Sequence, residues 1–286
     1  MLFIHTNCQS AMNKGSKICG LIDDQKLALT EFGAGSTVSN GELGVDGYTL
    51  YWGDHSSGEG GLGKGVAVYV VDTLNHSACP KFEEVEFDCA TWITVKLSNK
   101  KTLLIGVVYR SPNSGDENND RLLAMLRHAA TVQCDYLTLC GDYNLPQIDW
   151  GASHCLDSEG SYSQSFLNTI EDLSLFQHAT KPTRFRGEQQ SCLDLIFTNE
   201  EDMVEEVSEL PPIGKSDHVC QKWDLKVTEV NYRNTTVLRH NFRRANWDNI
   251  KSDIRDFKIK LGDTPNCINE KFLERINDTK SRNIPF

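Results

Sequence analysis

A short, mainly apolar segment near the middle of the chain ends in a group of polar residues. Residues 136–140 are followed at once by Gly141, Asp142, Tyr143 and Asn144. A glycine that breaks a strand would leave the aspartate and the amide at its C-terminal end, where α/β sheets carry their chemistry, because buried strands fix the side chains and loops leave room for a substrate. Gly-Asp-x-Asn also forms ordinary turns, so this segment alone does not define a site.

Five further segments offer polar side chains at or beside apolar runs. They place Asn7 after residues 2–6, Glu31 after 27–30, Tyr109 and Arg110 after 103–108, Asp194 inside 192–197, and Ser216-Asp217-His218 further on. Chance could supply two or three such segments. Six in this order indicate one constellation.

The residue types predict a hard divalent cation and a phosphate ester substrate. Carboxylates and amides without a thiolate or paired-histidine ligand set favour Mg²⁺ or Mn²⁺ over zinc. Such a metal polarises phosphoryl oxygens, an aspartate can orient or deprotonate a water molecule, and a histidine can donate to developing charge. No pattern in the sequence suggests a covalent nucleophile.

Each candidate also has a structural interpretation. Asn7 could be a turn residue, Glu31 a surface charge, and Tyr109 a half-buried core aromatic. Asp142 and Asp194 carry more weight, because a carboxylate beside or inside an apolar strand is costly to bury without a metal or another partner. His218 alone could be an ordinary surface or core histidine, but the polar neighbours Ser216 and Asp217 favour a functional role.

Strands and helices are both predicted around these residues. Apolar residues recur at helical spacing in two segments, 119–133 and 163–175, for which Asn119 and Ser163 are candidate N-caps. Three strands are predicted at 66–71, 92–97 and 103–109, and they suggest an antiparallel meander. The local pattern by itself supports a mixed α/β topology.

Length and composition are compatible with one large α/β domain and an extension. The chain has 286 residues and contains no apolar stretch of the roughly 18 residues that a membrane span needs. Its start lacks the basic segment of a signal peptide, and its ten cysteines include no Cys-x-x-Cys pair. We therefore expect reduced thiols in a nuclear or cytoplasmic protein that is not secreted.

Charge is distributed unevenly along the chain. Residues 1–225 carry 16 basic and 32 acidic residues, a net charge of −16, whereas residues 226–286 carry 13 and 8, a net charge of +5. Because nonspecific DNA binding depends on phosphate neutralisation, so acidic a domain should hold DNA weakly by itself. Two explanations would reconcile this charge with DNA binding: local basic residues line an active face, or the C-terminal segment adds affinity for DNA. The structural alternative for the C-terminal segment is that its arginines are merely solvated.

The polar segments jointly resemble the endonuclease/exonuclease/phosphatase superfamily, and within it the endonuclease domain of non-LTR, LINE-type retrotransposons of the jockey kind. The resemblance covers essentially all of residues 1–225. It is carried by residues 6–10, 28–31, 47–51, 65–69, 108–113, 141–150, 182–184, 193–199 and 216–218. Residues 241–247 and 283–285 look like the connector that precedes the reverse transcriptase in such elements, and the polymerase itself is absent.

The resemblance implies a fold and a set of residue roles. The fold is a deoxyribonuclease-like four-layer α/β sandwich, with two packed mixed β-sheets flanked by helices over residues 1–225 and a basic, partly helical connector over 226–286. The implied metal ligands for Mg²⁺ or Mn²⁺ are Glu31 and Asn7. The implied catalytic residues are Asp142 for the attacking water, Asn144 and Tyr109 for the scissile phosphate, Asp194 for the metal–water network, and Asp217 with His218 for the transition state. Candidate nucleic-acid contacts are Arg110, Thr183, Arg184, Arg243 and Arg244, and the identity of the general base stays open.

The function that follows is a divalent-metal-dependent DNA endonuclease that leaves a 3′-hydroxyl nick, as in target-primed retrotransposition. DNA is the expected substrate of a monomeric enzyme without a membrane partner, and the element RNA or a polymerase in trans could associate with it. Two alternatives remain. One is a phosphatase of the same superfamily that acts on a small phosphoester, and the other is a domesticated, weakly active protein that serves as a binding module.

Overall fold

A computed structural model describes residues 1–7, 27–32, 44–54, 65–82, 87, 89–97, 100–227, 244–258 and 265–285. The backbone alone is described for 27–32, 54 and 265–266. The chain forms two compact units, Met1–Thr235 and Thr236–Phe286. The sequence places a boundary between residues 225 and 226, which is the end of the last strand of the first unit.

The first unit contains sixteen described strands and two α-helices. In chain order the strands are β1 (Leu2–Asn7), β2 (Leu27–Phe32), β3 (Tyr48–Asp54), β4 (Gly65–Val71), β5 (His76–Ala78), β6 (Ala90–Lys96), β7 (Thr102–Tyr109), β8 (Tyr136–Asp142), β9 (Ile148–Asp149), β10 (His154–Cys155), β11 (Phe176–Gln177), β12 (Arg184–Arg186), β13 (Gln189–Ser191), β14 (Asp194–Thr198), β15 (Val204–Leu210) and β16 (Cys220–Leu225). The helices are α1 (Asp116–Thr131) and α2 (Tyr162–Asp172), and short 3-10 helices span Pro80–Phe82 and Glu201–Met203.

Two six-stranded mixed sheets form the body of this unit. The first has the order β15-β16-β1-β2-β4-β3, and the second has the order β11-β14-β8-β7-β6-β5. Each sheet contains one parallel pair, β1 with β2 and β7 with β8, and all its other pairs are antiparallel. Two small ribbons, β9 with β10 and β12 with β13, complete the strand pairing. The predicted architecture of two packed mixed sheets with flanking helices is confirmed.

Strand β7 shows why its sequence is apolar almost throughout. Leu103, Ile105 and Val107 pack between the two sheets, whereas Leu104 and Val108 face the layer formed by α1 and α2. A strand that is buried on both faces loses the usual alternation of apolar and polar residues. This double burial fixes the ends of β7 and β8 rigidly, and the candidate site lies at those ends.

The predicted meander is partly wrong. The strands predicted at 92–97 and 103–109 pair antiparallel as β6 and β7, but the strand predicted at 66–71 is β4 and lies in the other sheet. β5 and the 3-10 helix Pro80–Phe82 lie between β4 and β6, so the chain has enough length there to pass between the sheets. An apolar strand pattern does not specify which sheet receives the strand.

The two predicted helices exist, with different starts. Helix α1 has Gly115 at its N-cap, and Asn119 is buried inside the helix. In α2 the hydroxyl of Ser161 accepts the backbone N–H of Gln164, and it therefore caps the helix in place of Ser163. Both caps precede the first apolar residue of the helical pattern, so the pattern locates the helices but misses their first residues.

The second unit contains two described helices, α3 (Trp247–Arg255) and α4 (Pro265–Asn283). Asp253 links them, because its Oδ2 accepts hydrogen bonds from Thr279 and Asn283. Among the described residues of the chain, no helix is both long and apolar enough to cross a membrane. The eight cysteines within the described ranges are free thiols: Cys79, Cys89, Cys134, Cys140, Cys155, Cys192, Cys220 and Cys267.

Candidate active site

The C-terminal ends of the two parallel strand pairs carry the predicted site residues. In the first sheet Asn7 pairs with Glu31, whose backbone alone is described. In the second sheet Asp142 pairs with Tyr109 on one side and with Asp194 on the other. The Asn7 amide Nδ2 donates to Asp142 Oδ2 over 2.8 Å and thereby joins the two sheets at this edge. Residues that are far apart in sequence thus converge on one place.

Asp142 is held in a single orientation by its neighbours. It is 2% exposed, and its Oδ1 accepts the backbone N–H of Asn144 over 3.0 Å. Gly141, directly before it, has a φ of +147°, which side chains rarely permit, and Asn144 has a φ of +50°. The Gly-Asp-x-Asn sequence therefore forms a tight structure in which both oxygens of the carboxylate are engaged.

Asp194 and His218 form a buried pair beside Asp142. Asp194 is fully buried, and its Oδ2 lies 2.7 Å from His218 Nδ1. The other oxygen, Oδ1, makes no hydrogen bond within the described part of the chain, and it lies 4.0 Å from His5 Nδ1. The sequence suggested a pair between Asp217 and His218, but that separation is 3.8 Å, so Asp194 is the closer partner of the histidine.

The surroundings of His218 favour its protonated form. Burial disfavours the charged imidazole, but the hydrogen bond with Asp194 and three neighbouring carboxylates together raise the pKa of His218 to about 9. Asp217 behaves in the opposite sense. Burial disfavours the charged carboxylate of Asp217. Arg184 Nε donates a hydrogen bond to this carboxylate over 2.9 Å, and positive charges lie nearby. Together they hold the pKa of Asp217 below its usual value. The site therefore contains an imidazolium that can donate a proton and, in Asp217, a carboxylate whose ionised form is favoured.

Two hydroxyl groups position these side chains. Ser216 Oγ donates to the Asn7 carbonyl over 2.6 Å and accepts the N–H of His218 over 3.1 Å, so it ties the end of β1 to the histidine. Thr183 is buried, and its Oγ1 accepts the N–H groups of Leu193 and Asp194, each over 3.0 Å. The sequence singled out Thr183 as a DNA contact, whereas its position favours support of Asp194.

Three side chains of the site could offer ligand atoms to a divalent cation. Single ligand atoms of Asp142, Asp194 and His218 lie within 4.8 Å of one another, the one such group among the described residues. The unpaired Asp194 oxygen and the preponderance of carboxylate and amide oxygens suit Mg²⁺ or Mn²⁺. His218 Nδ1 is already bonded to Asp194, and the pair Asn7 and Glu31 stays the predicted metal anchor.

The candidate nucleic-acid contacts separate into three groups. Arg184 is half-buried and pairs with Asp217 at the site. Arg110 is only 6% exposed, is bonded to protein atoms and also lines the groove beside Asn144, so its contact with DNA stays a prediction. Arg244 is exposed in the second unit, and Arg243 lies outside the described residues.

A groove of about 670 Å³ opens beside Asn144. Its walls include Gln189 and Gln190 from β13, Arg184 from β12, and Tyr162 at the start of α2. Polar amide and guanidinium groups that surround a groove next to buried carboxylates suit an extended polar substrate.

One cluster of exposed acidic residues lies at the 3-10 helix Glu201–Met203 and along β15. Six exposed acidic residues lie within ten positions, Glu200, Glu201, Asp202, Glu205, Glu206 and Glu209. The start of β15 at Val204 pairs with Leu225, and Asp224 pairs with Leu2 at the start of β1, whereas the site lies at the opposite end of β1. The acidic residues near the start of β15 are thus distant from the candidate site, whereas Glu209 pairs with Gln221, which in turn pairs with His5 near the site end of β1.

Comparisons with known proteins agree with this geometry. A family model described as endonuclease-reverse transcriptase matches residues 103–221. No curated protein matches the chain in sequence. Among solved structures, the endonuclease domain of TRAS1, a telomere-specific non-LTR retrotransposon, is 16% identical with a TM-score of 0.59 and covers 80% of this chain and 99% of its own.

Two other solved structures have the same fold. The AP endonuclease LMAP from Leishmania major is 13% identical with a TM-score of 0.61, over 78% of this chain and 86% of its own. The 3′ phosphatase NExo from Neisseria, bound to a product DNA hairpin, is 15% identical with a TM-score of 0.57, over 79% and 100%. The chain therefore shares the fold of these enzymes, and residues 103–221 match the endonuclease-reverse transcriptase family model. Its expected resemblance to retrotransposon endonucleases is confirmed.

The environment of His218 can be tested by titration. In metal-free protein we expect its imidazole to titrate near pH 9, and Asp194→Asn should lower this pKa, because burial would then act with less opposition. A raised pKa stabilises the fold fully below the unfolded value of about 6.5, and this contribution is lost as the pH rises through about 9. NMR of the histidine side chains gives the measurement. His178, whose pKa burial lowers, serves as the control, and titration of wild-type His218 below about 6.5 would contradict the assignment.

Proposed function

We propose that this chain is a divalent-metal-dependent DNA endonuclease that hydrolyses a phosphodiester bond and leaves a 3′-hydroxyl nick. The observation that carries the proposal is the buried cluster of Asn7, Asp142, Asp194 and His218 where the two sheets meet. The TRAS1 domain, named as a retrotransposon endonuclease, supports the substrate class. NExo, which was solved with a DNA product, supports a nucleic acid at this fold's active edge.

Glu31 and Asn7 would hold the cation. They are neighbours in the β1–β2 ladder, and the Asn7 amide nitrogen is committed to Asp142, so its amide oxygen is the atom with ligand character. A bound Mg²⁺ or Mn²⁺ would polarise the phosphoryl oxygens and stabilise the leaving oxygen.

Asp142 would act on the attacking water. Each oxygen of its carboxylate accepts one hydrogen bond, from Asn7 or from Asn144, and a carboxylate oxygen can accept a second. The two fixed bonds therefore orient the group and leave capacity to accept a water proton. Water attacks phosphorus, the bond from phosphorus to the 3′ oxygen breaks, and the 3′ oxygen takes up a proton.

His218 would stabilise the charge that develops on the phosphoryl group. Its Nδ1 is bonded to Asp194, which fixes the ring and favours the imidazolium form. The opposite nitrogen, Nε2, then carries a proton that it can donate to a phosphoryl oxygen. Two neighbours of Asp142 would contact the scissile phosphate. They are Asn144, in the loop after Asp142, and Tyr109, which pairs with Asp142 at the end of β7.

The test is relaxation of supercoiled plasmid by the full chain with Mg²⁺. We expect nicked circles that a DNA polymerase extends without phosphatase treatment, because the nick carries a 3′-hydroxyl. Intact plasmid, together with release of phosphate from a 3′-phosphorylated oligonucleotide, would show a phosphatase instead. Intact plasmid with DNA binding and no phosphate release would show a binding protein.

A further inference from the structure

Arg110 is a buried cation close to the candidate site. It directly follows Tyr109 at the end of β7, and its backbone N–H donates to the Asp142 carbonyl over 2.8 Å. Its side chain turns inward and is 6% exposed. A buried guanidinium is costly unless its donors are paired, so the partners of this group indicate why it is there.

The side chain of Arg110 donates to an amide oxygen on helix α1 and to two carbonyls of the loop after Asp142. Nε donates to Asn119 Oδ1 over 2.8 Å, and Nη1 donates to the carbonyls of Tyr143 over 3.3 Å and Asn144 over 3.1 Å. The guanidinium carbon lies 4.7 Å from the centre of the Tyr162 ring, so the two groups form a cation–π contact.

Asn144 is bound to Arg110 from both directions. Arg110 Nη1 binds the Asn144 carbonyl, while the Asn144 side-chain Nδ2 donates to the Arg110 carbonyl over 2.9 Å. The remaining constraint is the bond from the Asn144 N–H to Asp142. Together these three bonds hold a residue with left-handed backbone geometry in the conformation that orients its side chain and the Asp142 carboxylate.

The partner on the helix side is itself fixed. Asn119 is 4% exposed, its Nδ2 donates to the Ser114 carbonyl over 3.3 Å, and its N–H donates to the Gly115 carbonyl over 2.9 Å in the first turn of α1. The planar fork of a guanidinium can reach an amide oxygen on one side and two carbonyls on the other, whereas an ammonium offers one compact charge. The site therefore requires arginine chemistry.

We infer that Arg110 is a positioning residue for the reaction, which links helix α1 to the Asp142–Asn144 loop and does not contact DNA. This inference rests on the proposed nuclease function. It predicts that loss of the guanidinium lowers the rate of the chemical step while DNA affinity is preserved. A phosphate contact would instead lower the affinity and reduce the slope of log affinity against log salt by roughly 0.9.

The experiment compares Arg110→Lys, Arg110→Ala and the control Arg121→Lys, which changes a partly exposed arginine on α1. We expect kcat to fall on the order of 10²-fold in both Arg110 variants, because a displaced catalytic group loses its geometry, with KM and the salt slope of DNA binding unchanged. Guanidinium ion should restore part of the kcat of Arg110→Ala, and sodium chloride at equal ionic strength should not. The control should match wild type.

A second variant and a spectroscopic measurement keep the inference testable if an Arg110 variant fails to fold. Asn119→Ala should also lower kcat without changing KM, and the Asn144 backbone amide resonance should shift in Asn119→Ala and not in Arg121→Lys. A kcat within threefold of wild type in folded Arg110→Lys and Arg110→Ala, or a loss of affinity with a smaller salt slope, would overturn the inference. An inactive wild-type protein would instead contradict the proposed function, and the shift of the Asn144 resonance would still report on the link.

Discussion

Asp142→Asn should reduce the rate of plasmid nicking by on the order of 10³-fold, because it removes the charge that orients and accepts a proton from water. The amide also has only one oxygen. Its NH₂ group would face either the Asn7 amide or the Asn144 N–H, both of which donate to the aspartate. Single-turnover nicking with saturating Mg²⁺ measures the loss.

The same variant should keep the fold. Asp142 and Asp194 are direct cross-strand neighbours, and removal of one of two adjacent negative charges relieves their repulsion. We therefore expect the relieved repulsion to offset the cost of the unpaired NH₂ group, so that the Tm changes little. Asp172→Asn, an exposed position at the end of α2, is the matched control and should retain full activity. A folded Asp142→Asn protein that keeps more than a tenth of the wild-type rate would contradict the proposed role.

The strand ends could be predicted from the sequence because local physics determines them. Strands β7 and β8 are apolar almost throughout because both faces are buried, and such runs are visible without a structure. A polar residue directly after such a run is then placed at the sheet edge. Asp142 and Asn144 were found in this way, and the adjacent glycine with its positive φ agrees with that interpretation.

Pairing across the site could not be predicted in the same way. Asp217 is the sequence neighbour of His218, but the bonded neighbour is Asp194, which reaches it from the second sheet. The same limit explains the misplaced strand β4, since an apolar alternation is equally satisfied in either sheet. Sequence proximity suggests partners only where the chain is locally continuous.

Arg110 illustrates a third limit. An arginine beside a site that is predicted to act on DNA suggests a phosphate contact, and composition alone gives no reason to bury it. The structure supplies the reason, because two main-chain carbonyls and an amide oxygen surround the guanidinium. Whether a cation faces solvent or protein depends on acceptors that come from distant segments, and these are not visible in a local pattern.

Removal of divalent metal should stop nicking completely, and Mg²⁺ or Mn²⁺ should restore it, since the proposed ligands are carboxylate and amide oxygens. A zinc-selective chelator should have no effect. Glu31→Gln keeps the size of the side chain but removes its charge, so we expect the half-saturating metal concentration to rise by at least roughly tenfold. Glu31 is chosen because it pairs with Asn7 at the end of β2, next to the strand end that is bonded to Asp142.

The metal assignment should be checked by binding as well as by activity. Calorimetry or the paramagnetic signal of Mn²⁺ measures the affinity of the full chain without DNA, and Glu31→Gln should weaken it while Glu171→Gln, an exposed position on α2, should not. If the affinity for Mn²⁺ falls in Asp194→Asn but stays unchanged in Glu31→Gln, the cation is held by the Asp142, Asp194 and His218 group instead. That result would assign the metal ligands to the second sheet and not to the first, and it would leave the nuclease proposal intact.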